Sequence, residues 1–170
     1  MEIELPRGLI KGLLAILLLI GPMLLGIHVS PKNEDGHPIL LTPRLVRLDD
    51  YRREARAWTM AMQKADSELS SILQAASGDL FAQDGRVNQV YGQIQQTVDA
   101  IDQTQAPPTF ESLHALIGET ARAYLDAAIL TASWISEPTQ TNLQAAQSGL
   151  ASAKQLFNQL DATPWIEAKP

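Results

Sequence analysis

Between Leu48 and Ala76 the apolar residues return at steps of three and four in strict alternation: Leu48, Tyr51, Ala55, Trp58, Met62, Ala65, Leu69, Ile72 and Ala76. A mean step of 3.5 residues keeps side chains on one face of an α-helix and scatters them over both faces of a strand. The segment therefore reads as one long amphipathic helix over about 44–76, with a seam that has to be buried against other helices. After the Ser77-Gly78-Asp79 break a second set follows at helical spacing: Leu80, Val87, Val90, Ile94, Val98 and Ile101. It predicts a helix over 80–105, closed by Ala106-Pro107-Pro108. Thr109 is then placed to cap a third helix over 109–136, carrying Phe110, Leu113, Ile117, Ala121, Tyr124, Ala128, Thr131 and Trp134. Pro138 suits the first turn of a fourth helix over 138–161, whose stripe is Leu143, Ala146, Leu150, Ala153, Phe157 and Leu160. No stretch alternates with period two, so the fold class is all-α. Four helices with short connections predict an antiparallel up-down-up-down four-helix bundle over 44–161. The many alanines on the seams imply close helix approach.

The rest of the composition excludes more than it suggests. The 170 residues contain no cysteine, which removes disulfides, thiolate zinc sites, iron–sulfur clusters and cysteine nucleophiles. A net charge of −6 argues against nucleic-acid binding, which draws on clustered Lys and Arg. A bundle can house a di-iron centre, but that needs two Glu-x-x-His pairs with two further Glu. The chain offers a single pair, Glu111 and His114, with Glu111 already explained by the dipole of a helix start. Met60, Met62 and His114 supply residue types that bind haem, yet Met62 falls on the core seam of the first helix. His28 and His37 have no nucleophile or carboxylate set beside them. Sequence reasoning thus expects no enzyme activity, no metal, no cofactor and no small-molecule substrate.

The amino-terminal region is of another kind. Leu9 to Ile27 is a 19-residue apolar run with one charge, Lys11, near its start. As a helix it would extend about 28 Å, close to the hydrocarbon thickness of a bilayer. Lys11 is near enough to the edge to reach the headgroups. A cleaved signal peptide is the rival reading, but Gly26-Ile27-His28-Val29-Ser30 lacks a pair of small residues for cleavage. Residues 1–29 are therefore expected to be an uncleaved transmembrane anchor. Residues 30–43, with three prolines and an Asn-Glu-Asp cluster, read as an extended tether. Positive charges flanking the apolar run are nearly balanced. The Gln-, Ala-, Ser- and Thr-rich surface resembles exported bacterial domains, which places the bundle on the extracytoplasmic, periplasmic side of the cell membrane.

Charge is unevenly spread along the bundle. Arg44, Arg47, Arg52, Arg53 and Arg56 are half of the ten basic residues after position 43, whereas 57–170 holds 5 basic and 12 acidic residues, a net of −7. Arg52, Arg53 and Arg56 lie off the seam and are candidates for contact with anionic headgroups or an acidic partner. The competing reading is a solvated helix face neutralised by Asp49, Asp50 and Glu54. Trp58 and Trp134 sit on seams, but Trp165 lies in the tail at 162–170 and is a candidate docking anchor for a neighbouring chain.

A single span, a tether and a small bundle resemble the accessory subunits of bacterial respiratory and photosynthetic membrane complexes. Within that group the chain looks like the small helical-bundle subunit of alternative complex III, a quinol-oxidising complex. The resemblance lies in the architecture and brings no motif or site residue with it. It implies a non-catalytic subunit without a redox centre, in contact with membrane lipid and with the larger cofactor-bearing subunits that it braces. The alternative is an extracytoplasmic ligand-binding or sensory bundle, which would need a partner to relay its signal.

Overall fold

The structure, a computed structural model, describes residues 43–75 and 79–163, with side chains from Leu45 onward. All regular structure among them is helical: α1 (Pro43–Gln74), α2 (Leu80–Gln103), a single 3-10 turn (Pro108–Phe110), α3 (Glu111–Ser136) and α4 (Gln140–Asp161). The chain divides into two compact units, Met1–Val46 and Arg47–Pro170, and the packing described below belongs to the second. The expected membrane anchor at 1–29, nearly all of the tether and Trp165 lie outside the described residues. No helix among the described residues is long and apolar enough to cross a membrane.

The seam of α1 is the spine of the core. Tyr51, Ala55, Trp58, Met62, Ala65, Leu69 and Ile72 are all buried, Leu48 is half-buried, and Ala76 lies outside the described residues. On α2 the buried line is Val87, Val90, Ile94, Val98 and Ile101, and on α4 it is Ala146, Leu150, Ala153 and Leu160. A wider face is buried on α3, where Gly118, Thr120, Ala127 and Ile135 join the expected stripe. The reason is position, since α3 packs directly against both α2 and α4 and looks across the core at α1. Small residues make that approach possible. A Cβ on Gly149 of α4 would come to 2.7 Å from Leu130 Cδ1 and 3.6 Å from Ala127 Cα on α3.

Pairwise contacts give the helix directions. The Gln83 side chain of α2 reaches the Ala75 carbonyl while Arg86 reaches Glu68, so α2 ascends as α1 descends. Tyr124 meets Phe157 and Ala127 meets Gly149, so α3 and α4 are also antiparallel. Across the core the numbers rise together, Tyr51 with His114 and Asp66 with Tyr124, so α1 and α3 run the same way. The result is an up-down-up-down four-helix bundle.

Two local expectations change. Thr109 does not cap α3; it lies inside the 3-10 turn, where the Phe110 N–H donates to the Pro107 carbonyl at 2.8 Å. The adjacent prolines hold the backbone in the tight turn, and α3 starts after Phe110 with no side-chain cap. Pro138 likewise lies before α4, because the Thr139 hydroxyl accepts from the Asn142 N–H at 3.2 Å and fixes the helix start one residue later. Asp79 does the same for α2, accepting from the N–H groups of Phe81 and Ala82.

Two substitutions measure this packing. Leu69 is fully buried, so Leu69→Ala should cost about 2–5 kcal/mol in urea denaturation. Gly92 lies inside α2 with no atom within 4 Å of an added Cβ, so Gly92→Ala should stabilise by about 0.5–1 kcal/mol. An unchanged midpoint for Leu69→Ala would remove Leu69 from the core.

Candidate functional site

The side chains richest in chemistry converge where α1 begins and where the 3-10 turn leads into α3. Tyr51 and Trp58, two turns apart on one face of α1, meet edge to face with centroids 6.1 Å apart. Phe110 stacks on Tyr51 at 5.4 Å, and His114, one turn further along, contacts both Tyr51 and Trp58. The Tyr51 hydroxyl shares a 3.2 Å hydrogen bond with His114 Nδ1, donating when the imidazole carries its proton on Nε2. Arg52 lies over the Phe110 ring with Cζ 5.7 Å from its centroid, and its Nε is buried without a hydrogen-bond partner. Such a cation–π contact is worth roughly 0.5–1 kcal/mol at an exposed site and more when desolvated. Burial, and secondarily the Glu54 carboxylate, push the Tyr51 phenol up to about 12. The cluster clamps α1 onto the corner between α2 and α3.

The arginines named by the sequence do not share one free face. Arg52 is half-buried on Phe110. Arg53 pairs with Asp49 at 3.4 Å and with Asp50 at 3.1 Å, both within its own helix. These pairs are highly exposed and add little to stability. Arg56 is half-buried and engaged, and Arg47 is exposed. The side chain of Arg44 and the whole of Trp165 lie outside the described residues.

A second polar cluster joins three helices and was not foreseen from sequence. Tyr124 of α3, fully buried, donates its hydroxyl across the core to Asp66 Oδ1 of α1 at 3.2 Å. Lys154 of α4 donates to Ser70 Oγ at 2.9 Å, and its ammonium is 3.6 Å from the same Asp66 oxygen. Burial first, then the Asp66 charge and hydrogen bond, raise the Tyr124 phenol well above its ordinary value. The signal was a tyrosine on a core seam, whose hydroxyl has to find a partner. Gln83 was missed as well. It is buried within the seven-residue step from Leu80 to Val87, its amide N–H donating to the Ala75 carbonyl at 2.8 Å. Beside Lys154 the surface dips into a shallow groove of about 330 Å³ between α1 and α4, walled by Leu73, Leu150 and Ala151 and edged by Gln74 and Gln147.

Of the metal- and haem-binding residue types, Met62 is fully buried in the core, Met60 is exposed, and His114 is bonded to Tyr51. Among the described residues no group of three or more His, Asp or Glu could hold a metal ion. Compared with protein-family models, curated proteins and solved structures, the chain matches none.

The raised phenols set a pH dependence. A group that titrates higher folded than unfolded contributes stability that is intact below its unfolded pKa and fades as pH rises through its folded one. For Tyr51 that window runs from about 10 to about 12. The urea midpoint should fall over this range, and by less in Tyr51→Phe. Identical alkaline slopes in the two proteins would show that Tyr51 contributes nothing to it.

Proposed function

We propose that this chain is a non-catalytic, membrane-anchored accessory subunit of a bacterial electron-transport membrane complex, bracing larger cofactor-bearing subunits from the extracytoplasmic side. The observation that carries the reading is the 19-residue apolar run Leu9–Ile27 ahead of a helical bundle in one chain. Support also comes from how the polar side chains are used. His114, Tyr51, Tyr124, Asp66 and Lys154 hold helices to one another, so the polar chemistry of the bundle is spent on its own assembly. A bundle built in this way is suited to bearing on neighbours. Its physical role would be to supply a rigid surface, tied by residues 1–29 to the bilayer that holds the larger subunits.

Two experiments test this. The full chain should remain with the membrane pellet through an alkaline carbonate wash, and a variant lacking residues 1–29 should move to the supernatant. Release of the full chain by carbonate would refute the anchor. Purification in mild detergent should bring down a stoichiometric set of larger membrane subunits, identified by mass spectrometry. A solitary monomer would overturn the accessory role and favour the ligand-binding or sensory alternative.

A further inference from the structure

We draw no further inference here: the strongest candidate, the shallow groove between α1 and α4 walled by Leu73, Leu150 and Ala151 with Lys154 at its rim, is an open surface depression, and nothing in the structure shows what covers it.

Discussion

The burial of the α1 seam is the constraint from which the rest of the bundle follows. Seven consecutive seam residues from Tyr51 to Ile72 are removed from water along some six turns of one helix. One neighbouring helix covers only part of such a stripe. Here α2 and α4 flank it and α3 closes it from across the core, which is why α3 buries the widest face. The same demand explains where the small residues lie. Gly149 on α4 lies against Ala127 and Leu130 on α3 and lets those two helices approach closely, Gly118 of α3 faces Ile101 of α2, and the large side chains of the α1 seam are buried in the same core.

A core assembled this way still has to accommodate hydroxyls. Thr120 and Thr131 are fully buried and donate to the carbonyls of Leu116 and Ala127, each at 2.7 Å, so they are satisfied within α3 itself. Tyr124 cannot do this, because its hydroxyl stands too far from its own backbone. It bonds to Asp66 instead, and Asp66 in turn draws Lys154 from the fourth helix. One buried phenol thereby links α1, α3 and α4 and, with the Tyr51–His114 contact, ties the direction of α3 to that of α1, while Gln83–Ala75 and Arg86–Glu68 tie that of α2. Register is fixed by these polar contacts, since an apolar seam of repeated Ala, Leu and Ile would tolerate a slip of one heptad more easily.

Fold class and core were legible in the sequence because both follow from period. The three–four spacing of Tyr51 to Ile72 is a local property, and burial of that stripe follows from elementary geometry. Helix starts were less legible, since they depend on competition between adjacent signals. At Thr109 two prolines and a tight turn prevailed over a capping hydroxyl, and at Thr139 a capping hydroxyl prevailed over the proline before it. The polar clusters were least legible. Asp66 and Lys154 are separated by 88 residues, and nothing in either local context announces the other. Arg52 shows the same limit from the opposite side. The helical wheel places it off the seam, but Phe110 arrives from another part of the chain and covers it.

That redistribution changes where contact with other molecules is best sought. A run of five arginines suggests a basic collar, yet Arg53 is balanced by Asp49 and Asp50, and Arg52 is turned onto an aromatic ring. From 47 to 56 the chain carries four basic and three acidic residues, so the local net charge is +1 and its attraction for an anionic surface is small. Lys154 stands in the opposite situation. It is the one basic residue of α4, at the rim of a groove, 3.6 Å from Asp66 and with 43% of its side-chain surface exposed. A partly exposed charge at a partly apolar groove discriminates between partners more sharply than a fully solvated cluster does, because a wrong partner covers it without compensation. The seam between α1 and α4 is therefore the part of this surface best built to select what lies against it.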